Sequence, residues 1–247
     1  ASMQFLHDCL WRGGVVCRSA SGPRFRLVVS VELLDCFDYL IWLRSGAAAA
    51  ERLGFTQSTI SRNAKSVSQC FGVTASKEEG EWEVVGDATL LNLERQVHQC
   101  LRWSSDLPLR IEAQYYSGPL FCDPAPTGWN AGNFDFLEVH TPFDHLRTGV
   151  IDAWIACYPD VPDPADAEFA SFHLTRLPTN LVVAEGHPLI ELGDAVTLDH
   201  VKEYPSLALR DNAFPKVQSI LQDLGLWNLP LNQKRYSFVK WEGRVED

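Results

Sequence analysis

Between Thr56 and Lys65 the chain sets an amide, several hydroxyls, a guanidinium and an ammonium within ten residues. Gln57 and Arg62 carry the donor and acceptor groups that match base edges. The hydroxyls of Thr56, Ser58, Thr59 and Ser61, with the ammonium of Lys65, suit phosphate oxygens. If these residues open a helix, its first backbone N–H groups add a further attraction for phosphate. The chemistry this group can do is recognition of double-stranded DNA.

The flanking residues supply the elements such a group needs. Leu33, Leu34, Phe37, Leu40 and Ile41 form one apolar stripe at helical period, so Leu33–Leu43 is expected to be a helix. Ala47–Leu53 reads as a second, alanine-rich helix that lets its neighbours approach closely. Gly54 stands where a helix ends in a left-handed residue, and Thr56 can cap the next helix with its hydroxyl. In that third helix Ile60, Ala64 and Val67 share the inward face, with Phe71 one turn further on. Gln57, Ser58, Ser61, Arg62 and Lys65 take the opposite face. Thr74–Gly86 is expected to be a two-stranded wing turning at Gly80, with Trp82, Val84 and Val85 as strand formers. Its cation, Lys77, stands among Glu78, Glu79, Glu81 and Glu83.

The run Ala49–Arg62, Ala-Ala-Glu-Arg-Leu-Gly-Phe-Thr-Gln-Ser-Thr-Ile-Ser-Arg, closely resembles the winged helix-turn-helix of LysR-type transcriptional regulators. The resemblance covers about residues 32–247, strongly at first and more loosely afterwards. It implies that Gln57, Ser58, Ser61 and Arg62 lie at operator-contacting positions. It also implies an α plus α/β architecture: an N-terminal winged helix-turn-helix, a long linker helix, and a two-lobed effector domain of the type 2 periplasmic-binding-like fold. Three places depart from the family pattern. The Gly46–Ala49 junction is about two residues short, Val67-Ser68 replaces a usual Leu-Glu, and no arginine follows Gly72-Val73.

Composition narrows the classes. The 247 residues carry a net charge of −11, and 46% of them are hydrophobic, which fits packed domains rather than a disordered chain. The segment 31–88 holds five Lys/Arg against nine Asp/Glu, so a specific binder with weak nonspecific affinity for DNA is expected. No apolar run is long enough to span a membrane and no secretory leader is apparent, which points to the cytoplasm. The seven cysteines include no Cys-x-x-Cys pair, and Cys36, Cys70 and Cys100 read as small core residues. Some LysR-type regulators sense oxidants through a cysteine pair; no two cysteines fall within the second lobe that the resemblance implies, so redox sensing is not expected. The seven histidines show no metal spacing, so neither a metal nor a cofactor is expected, and His140 and His145 read as surface or capping residues. Gly-x-Ser-x-Gly, P-loop and Gly-x-Gly-x-x-Gly motifs are all missing, so an enzyme is not the expectation.

Four segments follow from this reading. Residues 1–30 are an extension, 31–87 the winged helix-turn-helix, 88–106 a linker and dimerisation helix, and 107–247 the effector domain. Within the last, lobe one spans 107–159 and lobe two 160–240. The helix Ala88–Trp103 carries Leu90, Leu91, Leu93, Val97, Cys100 and Leu101 and wants a partner. The LysR-type resemblance implies antiparallel pairing there between subunits, giving a homodimer or homotetramer that also meets through the effector domain. Strands are expected at Leu109–Tyr116, Phe134–Val139, Ile151–Tyr158, Phe172–Leu174, Asn180–Ala184, Ser206–Leu209 and Tyr236–Val239. Helices are expected at His145–Val150, Thr197–Lys202 and Phe214–Leu224. The fold implied by the resemblance returns to lobe one after Trp241, so either the chain is a truncated product, or lobe one is incomplete and exposes apolar sheet surface.

Ligands of open α/β sheets sit beyond the carboxyl ends of strands. Tyr115, Tyr116, Ser117 and Gly118 follow one such strand, and Arg210, Asp211 and Asn212 follow another. Ser117 and Arg210 suit a carboxylate, and the tyrosines suit a ring or apolar body. The expected effector is a small organic acid, and the expected partners are operator DNA, a second copy of the chain and RNA polymerase. The competing reading is a solute-binding or interaction protein of periplasmic-binding-like fold that no longer binds DNA.

Overall fold

The computed structural model describes residues 28–78, 80–163, 165–176, 180–230 and 235–237. They form two compact units. The first holds the described residues up to Ala113 with Ser117–Asn133 and Pro142–Ile155. The second holds Gln114–Tyr116, Phe134–Thr141 and the described residues from Ala156 onward. The chain mixes helices and sheet throughout.

The first unit opens with α1 (Val31–Leu43), α2 (Gly46–Leu53) and α3 (Gln57–Phe71). Each starts at a hydroxyl that accepts a backbone N–H of the first turn: Ser30 from Leu33, Ser45 from Ala48, and Thr56 from Thr59. Helices α2 and α3 end at Gly54 and Gly72, whose φ of 68° and 67° is the left-handed conformation glycine adopts without a Cβ clash. Strands β1 (Thr74–Glu78) and β2 (Glu81–Val85) pair antiparallel, Thr74 opposite Val85 and Glu78 opposite Glu81, with Gly80 in the turn. Helix α4 (Thr89–Ser104) follows. The extension expected over 1–30 lies outside the described residues up to 27. Val28–Ser30 are built into the fold, because Val28 and Val29 donate to Glu94 Oε1 at 2.6 and 3.2 Å and Ser30 caps α1.

Leu34, Phe37, Leu40 and Ile41 of α1 pack with Ala49 and Ala50 of α2 and Ile60, Ala64 and Val67 of α3, which is the core expected from the periodicity. That core runs on without a break into Leu91 of α4 and Val150 and Ile151. A parallel sheet of order β4–β3–β5 completes the unit, with β3 at Leu109–Ala113, β4 at Trp129–Ala131 and β5 at Ala153–Ile155. In β3 all five residues are buried, including Arg110 and Glu112. Alternation puts those two on the same face, and that face meets α1.

Helix α5 (Gly118–Phe121) follows β3, and α6 (His140–Arg147) precedes β5. The second unit contributes α7 (Pro188–Leu192), α8 (Leu198–Lys202) and α9 (Pro215–Asp223). Its described ladder is one short parallel pair, β6 (Leu207–Ala208) with β7 (Leu229–Pro230). Three expected strands are corrected. Phe134–Val139 has Phe134 at a φ of 55° and reaches a partner strand only through the isolated bridge of Phe136 to Arg235. Phe172–Leu174 and Asn180–Ala184 are irregular, with the side chains of Phe172, Leu174, Leu181 and Val182 exposed. Apolar content made them look like strands, but a strand needs a neighbour, and none pairs with them among the described residues. Strand β4 was missed; its three residues follow Gly128 and are too few to show a period. The last expected strand, Tyr236–Val239, lies partly outside the described residues, and Tyr236 and Ser237 are irregular.

Gly132 sits directly against the buried Glu112 side chain. A Cβ there would lie 2.0 Å from Glu112 Oε2, an atom that accepts from Trp42 Nε1 at 2.7 Å. The carboxylate has no free space to yield into, since Glu112 is fully buried. Gly132→Ala is therefore expected to cost about 1–3 kcal/mol by overpacking. Urea unfolding would show it as a lower midpoint at unchanged slope; an unmoved midpoint would mean that the Glu112 carboxylate is not held where it stands.

Candidate nucleic-acid interface

Helix α3 divides cleanly into two faces. Ile60, Asn63, Ala64 and Val67 are buried, at the i, i+3, i+4, i+7 spacing of a core stripe. Thr56, Gln57, Ser58, Ser61, Arg62 and Lys65 are exposed, and Thr59 is half-buried. The helix start is dense with hydroxyls. Thr56 Oγ1 lies 2.9 Å from Ser58 Oγ and 3.0 Å from Thr59 Oγ1, and accepts the Thr59 N–H at 3.2 Å. These bonds hold three of the polar groups at the positive end of the helix dipole. Gln57 lies across the start of α2, where a Cβ at Gly46 would be 3.2 Å from its Cγ.

Lys77 is exposed on the hairpin, yet its ammonium is engaged. It donates to the Arg44 carbonyl at 3.3 Å and stands 5.9 Å over the Trp82 ring. Arg44 faces Glu81 at 3.6 Å. The cations of the hairpin region thus help to hold it on α1, and Arg62 and Lys65 are the cations of the exposed α3 face. Asn63 was missed in the sequence. Its Nδ2 donates to Cys36 Sγ at 3.4 Å in the interior, tying α3 to α1. Its place at i+3 in the Ile60–Val67 stripe was the available signal.

What orients α1 is a buried set of charges. Asp38 is fully buried and accepts from Arg95 Nε at 2.8 Å and Arg110 Nη1 at 3.2 Å. Arg110 also bonds Asp35 and donates to the Val150 carbonyl at 3.0 Å. Arg102 grips Asp152 through two bonds of 2.9 Å, and Asp152 accepts the Arg110 backbone N–H at 2.9 Å. Burial alone pushes the Asp38 carboxyl up; the guanidiniums of Arg95 and Arg110 outweigh it and hold the group below the usual carboxylate range. Burial likewise works against the charge of Arg110, and Asp35 and Asp38 overturn that, raising its affinity for the proton.

The expected effector residues fall in both units. Ser117 and Gly118, in the first, are buried, and the Ser117 hydroxyl donates to the Ile155 carbonyl at 3.4 Å. In the second, Tyr115 stacks on Tyr236 at 4.3 Å and meets Tyr116 edge-on at 5.1 Å, while the Tyr116 hydroxyl donates to Gln114 at 2.5 Å. Arg210 Nη2 pairs with Glu138 at 2.7 Å. Asp211 accepts from Gln218 and Trp227, and Asn212, at a φ of 62°, donates its N–H to Gln218 Oε1 at 2.7 Å. His140 Nε2 lies 2.9 Å from the Asn212 carbonyl oxygen. Much of the polar capacity of 210–212 thus goes into building its own turn.

The cysteine reading is corrected in part. Cys36 is a buried core residue, whereas Cys70 and Cys100 are exposed on α3 and α4. Among the described residues no group of three or more His, Cys, Asp or Glu is placed to hold a metal, and no helix is long and apolar enough to cross a membrane.

No family model and no curated protein matches the chain. Among solved structures it is similar to full-length OxyR from Pseudomonas aeruginosa carrying a cysteine-to-aspartate substitution: 17% identity, TM-score 0.41, covering 87% of this chain and 77% of that one. A peroxide-bound cysteine-to-serine mutant of Corynebacterium glutamicum OxyR gives 16% identity and a TM-score of 0.38 over 90% of this chain and 74% of that one. HinK, a LysR family transcriptional regulator from Pseudomonas aeruginosa, gives 18% and 0.32 over 87% and 76%. Likeness at this level places no individual residue.

The Asp38 carboxylate gives a pH test of the framework under α3. Its folded pKa is depressed, so its contribution to stability is complete above the unfolded value, near 3.8, and is lost as pH falls through the lower folded value. Asp38→Asn is expected to cost about 3–5 kcal/mol at neutral pH, because buried Arg95 loses its counter-charge and buried Arg110 keeps only Asp35. The gap between variant and native chain should close in the acid range below pH 3.8. Urea titrations across pH measure it; a gap that persists undiminished in acid would place the cost elsewhere.

Proposed function

We propose that the chain is a sequence-specific DNA-binding transcriptional regulator of the LysR type, with α1–α3 and the β1–β2 hairpin as its winged helix-turn-helix. The observation that carries this is the α3 face: Gln57, Ser58, Ser61, Arg62 and Lys65 stand exposed on a helix whose other side is fixed in the core and whose start is capped by Thr56. Such a helix seats in a major groove with its first turns against base edges and phosphates. In this reading 31–87 is the DNA-binding domain, 88–106 the linker and 107–247 a two-lobed effector domain, acting in the cytoplasm and signalling to RNA polymerase.

Helix α4 supports the second half of the proposal. Its inward face is the charged one, Glu94, Arg95, His98 and Arg102, with Leu91. Its outward face carries Leu90, 65% exposed, Leu93, 53% exposed, then half-buried Val97 and exposed Cys100. An apolar stripe turned to solvent over three turns calls for a cover, and a second copy of the same helix supplies one of matching length and chemistry. The homodimer then sets two α3 helices into successive grooves. A small organic acid is the proposed effector; its carboxylate recruits Arg210 only by displacing Glu138.

Arg62→Ala is expected to weaken binding to a duplex selected by the native chain about 10–100-fold, the discrimination one bidentate base contact supplies. Fluorescence anisotropy against unrelated competitor DNA reads it out, and unchanged affinity would remove Arg62 from the interface. The salt dependence is expected to be shallow, since few cations line the face. Leu93→Asp is expected to convert the dimer to monomer in sedimentation velocity while the fold persists. A variant that stays dimeric would move the interface away from α4.

A further inference from the structure

Helix α1 has two buried faces of different chemistry. Leu34, Phe37, Leu40 and Ile41 lock it into the three-helix core. Half-buried Asp35 and buried Asp38, Tyr39 and Trp42, at i, i+3, i+4 and i+7, lie against the sheet, with the rings of Tyr39 and Trp42 still part of the same core. Each has a partner there. Asp35 and Asp38 hold Arg110 of β3, the Tyr39 hydroxyl meets Asn130 Nδ2 of β4 at 2.6 Å, and Trp42 Nε1 donates to Glu112 of β3 at 2.7 Å. Arg52 of α2 adds a bond to the Ala131 carbonyl, and Asn133 Nδ2 donates to the Leu43 carbonyl at 3.4 Å.

We infer that the polar contacts of this face are a clasp which fixes the orientation of the α1–α3 module on the sheet, and that Asp35 and Glu112 are positioning residues for α3. An apolar seam is costly to open because its surface cannot be hydrated. Here the rings of Tyr39 and Trp42 form an apolar part continuous with Val150 and Ile151, and beside it both sides present charged and hydrogen-bonding groups that water accepts. Buried ion pairs add little net stability over an apolar seam of the same shape but specify register. The charges therefore set where the module sits, and the apolar face of α1 keeps the module itself folded whether the clasp is shut or open. Arg95 extends the clasp to α4 through Asp38, so the module is held relative to the proposed dimer helix as well.

The consequence for DNA rests on the DNA-binding reading. Two modules held at fixed orientation engage two half-sites as one event; loosened modules keep their affinity for a single half-site and lose the gain from engaging both. The test uses the full chain with Asp35→Asn and Glu112→Gln, both close to the native side-chain volume. Amide exchange in β3 is expected to accelerate about tenfold in each, the scale of one lost charged hydrogen bond, with α3 unchanged. Binding to a two-half-site duplex selected from a random pool should weaken about tenfold, while binding to the same duplex with one half-site scrambled stays the same. Unchanged β3 exchange overturns the clasp, as does an equal loss on both duplexes. If the native chain selects no DNA, the DNA-binding reading fails, and the exchange measurement alone decides the clasp.

Discussion

A guanidinium with 1% of its surface exposed is the constraint around which the first unit is arranged. Arg110 cannot shed its proton, so its burial has to be answered by anions at short range. The chain answers with Asp35 and Asp38 from α1, the Val150 carbonyl, and the face of the Tyr39 ring 4.9 Å away. Asp38 is then itself a buried charge, and Arg95 of α4 completes its neutralisation. Asp152 takes the Arg110 backbone N–H and both bonds of Arg102. Each charge in the set requires the next, so α1, α4 and β3 are placed by one balance of charge.

The same balance turns α4 inside out. In an ordinary surface helix the charged residues face water and the leucines face the core. Here Glu94, Arg95, His98 and Arg102 are needed inside: Arg95 and Arg102 for the aspartates, and Glu94 for the Val28 and Val29 N–H groups and His98. With one face committed to polar duty, Leu90, Leu93 and Val97 fall on the other by helical geometry alone. The exposed apolar stripe is thus a by-product of the buried charges within the monomer, and the proposed dimer would turn it into a seam.

Electrostatics constrain how such a chain can meet DNA. At a net charge of −11 its long-range field repels the duplex, and the hairpin carries glutamates where a cationic wing would add phosphate contacts. Beyond a Debye length of about 8–10 Å salt screens that repulsion, so attraction has to come from groups in direct contact. The α3 face meets that requirement with few cations and many neutral donors: hydroxyls, the Gln57 amide and the helix N-terminal N–H groups. These gain most when shape and register match, and a register held by a buried clasp serves that kind of recognition better than a large basic patch would. A DNA reader built this way would gain specificity by orientation and give up nonspecific affinity.

The parts of this architecture that were legible in the sequence are those whose signals are local. Thr56 as a cap, Gly54 as a stop, and the Ile60–Val67 stripe need only a few neighbouring residues to define them, and through them the outward face of α3 follows from helical period. What stayed hidden depends on partners far along the chain. Arg110 and Glu112 alternate with apolar residues in β3, which by pattern alone is the mark of a solvent face. Only Asp35, Asp38 and Trp42, some seventy residues earlier, make that face interior. Arg210 had the chemistry for a ligand carboxylate, and Glu138, 72 residues away, already occupies it. The inverted α4 belongs to the same class: its leucines were visible, but which face was inward was decided by aspartates on α1 and near β5. Hydrophobic period locates a helix; where buried charges compete with it, the charges choose which side faces in.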